Sequence, residues 1–255
     1  MFVTLADLSA RHADGAGAEP GAASLGCRPV PLIPRIDRAA VPAVAASAVP
    51  AVALALMGRP RTAWSLLALP VGVTAFFRDP DRTPDHRQPD PDLVLAPADG
   101  KVMYAGPGQV GVAPAGSWQQ VSIFLSLFDV HVNRTPSAGR VQDVTYRPGK
   151  WHAAYRFESA TENERSEIML SDTVDGEVRR VVFRQVVGLV ARRVVTRVSA
   201  GDALLAGQRI GLMKFGSRMD VFVPPHVQLT ASPGDRTVAG ETVLARWPAR
   251  AASPS

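Results

Sequence analysis

Three residues of this chain have the chemical types of a nucleophile, a general base and an orienting acid, and each sits in or beside an apolar run. They are Ser217 in "LMKFGSRMD" (212–220), His131 in "FDVHVNRTP" (128–136) and Asp99 in "PADGK" (97–101). A serine hydroxyl becomes a nucleophile when a base takes its proton, and such a base commonly needs a third group to orient it. Polar groups inside apolar strands are costly to bury unpaired, so each of these positions needs a reason. Singly, each has a plain one: Asp99 opens an Asp-Gly turn, His131 is a satisfied core histidine, and Gly216–Ser217 is a loop dipeptide. Together they supply a nucleophile, a base and an orienting carboxylate, if the fold brings them together.

The elements that must position them are mostly β. Residues 93–106 read as strand, Asp-Gly turn, strand, and 119–134 as one nearly continuous buried strand with a bend. An Asp-Gly hairpin is predicted within 173–188. Beyond residue 80 the only helical signal is a short one within 149–163. "SAGDALLAGQRIGL" (199–212) and "SPGDRTVAGETVLA" (232–245) form a weak repeat at an offset of 33. The fold expected is therefore mainly β, a barrel- or sandwich-like domain with hammerhead turns of the biotinyl and lipoyl kind, preceded by an N-terminal apolar helical hairpin.

The apolar segments are 39–57 and 64–77, joined by "GRPR" (58–61). The second is too short to span a hydrocarbon core of about 30 Å, so a hairpin dipping into one leaflet is expected. Arg35, Arg38, Arg59, Arg61, Arg78 and Arg82 flank the pair and favour a cytoplasmic aspect. The division read from these shifts is a disordered tail (1–30), a membrane-associated hairpin (31–78), a Pro- and charge-rich linker (79–92), a β domain (93–248) and a C-terminal tail (249–255). Of 255 residues 46% are hydrophobic, and the net charge is +5 with a pI near 10.0. A basic surface suits anionic lipid headgroups. Nucleic acid is not expected, because no basic helix or zinc-ligand pattern is present. Cys27 is the only cysteine, which leaves no disulfide framework, and no metal site is expected.

The strings "FFRDPDR", "PADGKV", "FLSLFDVHVNRTP", "YRPGKWHAAYRFESATENER", "QVVGLVARRV" and "FGSRMDVFVP" occur in this order. In that order they resemble phosphatidylserine decarboxylase proenzymes of the short bacterial and archaeal type, over roughly residues 30–247. The resemblance implies a self-processing, pyruvoyl-dependent lyase of phospholipid biosynthesis at the cytoplasmic side of the cell membrane, peripheral or monotopic. Ser217 would attack the Gly216 carbonyl, and the chain would split into a large β chain (1–216) and a small α chain (217–255). Ser217 would become the covalent pyruvoyl cofactor, which forms a Schiff base with the amine of phosphatidylserine and yields phosphatidylethanolamine and CO₂. His131 would be the base and Asp99 its orienting acid. A homodimer is left open. The chain departs from longer relatives, which carry two histidines three apart where this one has His131 and Arg134, and Leu-Gly-Ser-Thr where it has Phe-Gly-Ser-Arg. Arg134, His152 and Arg218 are accordingly candidates for holding the substrate. The rival reading is a biotinyl- or lipoyl-type carrier modified on Lys214, set on a hairpin between the two turns.

Overall fold

The computed structural model describes residues 35–82, 90–189, 193–214 and 216–248. The expected tails at 1–30 and 249–255, Cys27 and the middle of the 79–92 linker lie outside the described residues. The described residues all lie within one compact unit.

That unit begins with β1 (Arg35–Ile36), α1 (Ala40–Leu56), α2 (Pro60–Leu66), α3 (Ala68–Phe76) and β2 (Arg78–Asp79), where β1 and β2 pair antiparallel. The second apolar segment is two helices, meeting at Leu67. The cause is Pro70, which has no N–H for the Leu66 carbonyl and whose ring would clash with it. At 1.5 Å per residue α1 is about 25 Å long, and among the described residues no helix is long and apolar enough to cross a membrane. Ala40, Phe76 and Phe77 pack with Leu212 of the β domain. Asp37 bonds Arg197 through both carboxylate oxygens, and Asp79 bonds Arg209. The helices are thus stitched to the sheets rather than appended to them.

The remainder is mainly β: β3 (Leu93–Leu95), β4 (Gly100–Pro107), β5 (Gln119–Leu125), β6 (Val132–Arg134), β7 (Gly139–Arg147), the short helix α4 (Phe157–Glu162), β8 (Arg165–Val174), β9 (Glu177–Val187), β10 (Val194–Thr196), β11 (Ala203–Leu204), β12 (Arg209–Met213), β13 (Ser217–Val223), β14 (Gln228–Leu229), β15 (Arg236–Thr237) and β16 (Val243–Arg246). They form an eight-stranded sheet in the order β11-β7-β8-β9-β13-β5-β4-β15 and two three-stranded sheets, β10-β12-β6 and β14-β16-β3. Alternate residues of β5, β9 and β13 (Ile123, Leu125, Phe183, Met219, Val221) face the main core, as a two-residue period requires.

The sheet order is symmetric about the β9–β13 pair. β4 and β7 each carry a register shift at matching places, between Val102 and Tyr104 and between Val141 and Asp143. Leu95 N–H donates to the Pro136 carbonyl (2.7 Å), while Arg134 N–H donates to the Pro97 carbonyl (2.8 Å). These bonds exchange under an offset of 39, which aligns "APADGKV" (96–102) with "TPSAGRV" (135–141). The turns of the 33-residue repeat obey the same two-fold relation. Gly201 N–H reaches Val141 O and Gly234 N–H reaches Val102 O, while Gly207 N–H reaches Thr135 O and Gly240 N–H reaches Ala96 O. The β domain is a duplicated module.

Two local expectations change. β3 and β4 do not pair with each other but lie in different sheets, so Asp99–Gly100 is a crossover and not a hairpin turn. The stretch 119–134 is broken into β5 and β6, because the Asp129 carboxylate takes the Ser126 N–H and hydroxyl (both 2.7 Å) and closes a tight loop there. The hairpin at Asp175–Gly176 is present, with both residues at positive φ (48° and 83°) and Val174 opposite Glu177.

Candidate active site

Ser217 is the first residue of β13, the strand beside the pseudo-two-fold, and lies between Leu125 of β5 and Val187 of β9. It is fully buried, and its Oγ has no hydrogen-bond partner among the described residues. A buried hydroxyl left unpaired costs about 1–3 kcal/mol, so the position needs a purpose. Gly216 before it has φ +66°, a backbone conformation that favours glycine. The Gly216 carbonyl oxygen fits only because residue 188 is also glycine: a Cβ there would lie 2.0 Å from that oxygen. Sequence reasoning quoted "QVVGLV" but found no role for Gly188.

His131 meets the same glycine through its other backbone group, the N–H of the preceding peptide. Gly216 N–H donates to its Nε2 (3.2 Å), which fixes the tautomer. Nδ1 then carries the proton and donates to the Asp129 carbonyl (2.9 Å). The His131 carbonyl also accepts the Met213 N–H (3.2 Å), so one residue holds the 213–216 segment at both ends. Burial pushes the imidazole pKa down to about 4, only partly offset by the Asp129 carbonyl bond and the Asp129 and Asp99 charges. The ring is therefore neutral at physiological pH, with its unprotonated nitrogen held by the Gly216 N–H, one residue before Ser217. Phe76, at the end of α3, packs against the imidazole with ring centroids 4.3 Å apart. No sequence signal linked these two residues, which lie in segments 55 positions apart.

Asp99 is close enough for its charge to act on His131, but its oxygens are committed elsewhere. Arg82 pairs with both of them (Nη2–Oδ2 2.7 Å), and the Ala239 N–H donates to Oδ1 (2.8 Å). The acceptor that orients the imidazole is thus the Asp129 carbonyl. Arg134 is buried, and its guanidinium bonds the carbonyls of Gly207 (2.9 Å) and Pro80 (3.1 Å), with Asp79 3.7 Å away. Burial lowers its pKa to about 10. These bonds make it a brace between the 79–82 segment and a β turn. Arg218 follows Ser217 in an extended strand and so faces the opposite side of the sheet, where it bonds Asp220 (2.7 Å) and Ser122 (3.0 Å). The His152 ring bonds Glu162 (2.9 Å), but its backbone is tied to the site. Asn163 bridges the His152 carbonyl and the carbonyl of Val187, the residue opposite Ser217. Of the sequence candidates, then, the structure gathers Gly216, Ser217 and His131, keeps Asp99 within electrostatic range, and leaves Arg134 and Arg218 without free donors aimed at the serine. Lys214 is not on a hairpin tip, since β12 and β13 belong to different sheets. Its ammonium lies 6.0 Å from the centre of the Phe77 ring.

The family model described as phosphatidylserine decarboxylase matches residues 71–245, which include all these positions. The chain belongs to the phosphatidylserine decarboxylase family. It is 44% identical over 189 residues to a phosphatidylserine decarboxylase proenzyme of Solibacter usitatus, covering 72% of this chain and 85% of that protein. A proenzyme of the same description from Pelobacter propionicus is 49% identical over 172 residues (67% and 74% covered), and one from Geotalea uraniireducens 44% over 209 (81% and 94%). Family membership does not favour the carrier reading on Lys214.

Proposed function

We propose that this chain is a phosphatidylserine decarboxylase that makes its own catalytic group from Ser217. The observation that carries the reading is the buried, unpartnered Ser217 hydroxyl next to a glycine whose own N–H is held by a neutral, unprotonated imidazole nitrogen. In maturation His131 Nε2 exchanges the Gly216 N–H for the Ser217 hydroxyl and takes its proton as Oγ attacks the Gly216 carbonyl carbon, and the proton passes to the Ser217 nitrogen as the peptide C–N bond breaks. The product is an ester between Gly216 and the Ser217 side chain. Removal of the Ser217 α-proton then expels the Gly216 carboxylate, leaving residues 1–216 and a dehydroalanine at position 217. Water replaces its nitrogen, which leaves as ammonia. Gly188 leaves room for the Gly216 carbonyl throughout, and Asp99, fixed by Arg82, supplies negative charge that stabilises the imidazolium as it forms.

The group at position 217 fits this site, because the hydroxyl that must react to form it is buried and unpaired, and the residue before it is held by an imidazole. A ketone there supplies the electron sink that lets the substrate carboxylate leave as CO₂. His131 can return a proton to the decarboxylated carbon, and the Asp129 carbonyl bond of its Nδ1–H leaves Nε2 as the nitrogen that carries it. We place the enzyme on the membrane through α1–α3, as the half-embedded hairpin expected from the sequence. Val41, Val52, Leu56, Trp64 and Val71 are all more than half exposed there. The Gly-Asp turns at 201–207 and 234–240 are taken as the hammerhead turns of that reading, with the catalytic β domain at 93–248. The test is CO₂ release from carboxyl-labelled phosphatidylserine by the purified chain. Ser217→Ala is expected to abolish it, and label release by that variant would refute the reading.

A further inference from the structure

β5 and β9 flank β13 and are both antiparallel to it, so both run off the sheet at the edge where Ser217 begins β13. Their continuations are apolar and uncovered. Phe128, at the tip of the loop after β5, is 87% exposed, with Leu127 half exposed, and Leu189, two residues past the end of β9, is 65% exposed. Tyr155, also 65% exposed, meets the ring of Phe124, next to the Leu125 that opposes Ser217, at 6.2 Å. The β5 loop is a built feature. Asp129 closes it from within, and the Arg78 guanidinium donates to the Phe128 carbonyl from the end of α3, which joins the loop to the apolar helices.

Cations adjoin these residues: exposed Arg156 follows Tyr155, exposed Lys101 is paired with Phe124, and Arg236 reaches Asp129 at 3.4 Å while remaining largely in solvent. Of the acids nearby, Asp129 is turned inward and Glu162 is held by Lys150 and His152, while Glu158 is exposed. Large exposed apolar side chains interleaved with cations match the chemistry of an anionic bilayer surface, where apolar groups enter the acyl region and each cation near the headgroups adds attraction.

We propose that Leu127, Phe128, Tyr155 and Leu189 form a bilayer-inserting rim around the Gly216–Ser217 site, separate from the helices. The proposal rests on the lipid reading above and deepens it. The rim lowers the end of β13 to the headgroup level, so that the substrate headgroup reaches Ser217 while its chains stay in the bilayer.

The test uses the full, self-cleaved chain carrying Cys27→Ser and Phe128→Cys, labelled with an environment-sensitive fluorophore. Glu177→Cys, at the opposite end of β9, serves as the control position. Vesicles of phosphatidylcholine and phosphatidylglycerol, without phosphatidylserine, are expected to blue-shift the label at 128, and acyl-chain spin labels to quench it. The label at 177 is expected to stay in water. A water-exposed label at 128 on protein that sediments with the vesicles would overturn the rim and leave binding to the helices. Failure to sediment would overturn it as well. A second variant, Leu127→Ser with Phe128→Ser, is expected to lose at least about tenfold in turnover of bilayer phosphatidylserine, the effect of withdrawing two large apolar side chains. It should keep its self-cleavage and its turnover of a short-chain, monomeric phosphatidylserine. Equal losses on both substrates would also count against the rim. If the unaltered chain turns over neither substrate, it is the decarboxylase reading that fails, and the fluorescence still decides the rim.

Discussion

The two halves of the duplicated β domain place different chemistry at the same point. Lys101 opposite Phe124 and Arg140 opposite Ser171 make Leu125 equivalent to Asp172. Leu125 pairs with Ser217, and Asp172 pairs with Arg179. The offset of 39 likewise makes His131 equivalent to Asp92, and the backbone agrees: the Met213 N–H reaches the His131 carbonyl as the Trp247 N–H reaches that of Asp92. One half therefore holds a histidine against the glycine that precedes Ser217, and the other holds the ion pair Asp92–Arg179 at 2.7 Å, with Arg179 buried. Asp99 is matched by Ala138, which offers no acceptor. The frame is common to both halves, and what differs is whether opposite charges face each other across it. Arg179 has its charge matched by Asp92, although Asp92 Oδ1 and Arg179 Nε make no hydrogen bond, while the uncharged Ser217 hydroxyl is left with no partner of any kind among the described residues.

The largest expected effect separates these two points. His131→Ala should slow self-cleavage by about 10²–10⁴-fold, the usual worth of general-base assistance, as followed on denaturing gels. Asp92→Ala should leave the cleavage rate unchanged and lower stability by about 1–3 kcal/mol in a denaturant titration, because Arg179 loses its partner. If Asp92→Ala blocked cleavage as well, the contrast between the halves would collapse. Next comes Gly188→Ala. Its Cβ must displace the Gly216 carbonyl, and a misplacement of about an ångström at a reacting centre costs on the order of 10²-fold in rate.

Much of the frame was legible in the sequence, and the reason is local physics. The Asp175–Gly176 hairpin follows from two residues that tolerate positive φ, and the turns at Gly201 and Gly234 announced themselves by spacing. The seven-residue repeat of 96–102 in 135–141 was equally present but keeps only Pro, Gly and Val unchanged, too few to stand out without the hydrogen bonds that relate the copies. The candidate residues at 99, 131 and 217 were readable, but their partners were not. That Phe76 packs on His131, that Arg82 takes up Asp99, and that Gly188 abuts Gly216 depend on which strands are neighbours, and residue type does not encode that. The reading of Asp99–Gly100 as a hairpin turn went astray for the same reason, because local turn chemistry is outweighed there by bonds to Arg82 and Ala239.

A smaller effect sharpens the comparison further. Asp99→Ala copies the other half and should slow cleavage about tenfold, equivalent to ~1.4 kcal/mol of barrier. The mirror change Ala138→Asp should leave the rate unaltered in the same gel assay. The smallest effect is in the pH profile. His131 acts as a base only when unprotonated, and burial holds its pKa near 4. The cleavage rate should therefore stay nearly flat from neutral pH to about 5 and fall through pH 4, where an exposed histidine would lose it near 6.5. Stability has the same sign: a histidine buried neutral contributes fully above 6.5, and that contribution is lost as the pH falls from 6.5 towards 4.

The central claim, that Ser217 and Gly216 react with each other under His131, is tested most directly by the intact mass of the purified chain. The account predicts two fragments, 1–216 ending in a free carboxylate and 217–255 beginning with a pyruvoyl group in place of serine. The second fragment is lighter than its unmodified sequence by the exchange of an amine and a hydroxymethyl for a ketone and a methyl. A fragment 217–255 with an intact amino-terminal serine would mean simple hydrolysis, and a single uncleaved chain of full mass would mean no reaction at this peptide. Either result would contradict the account.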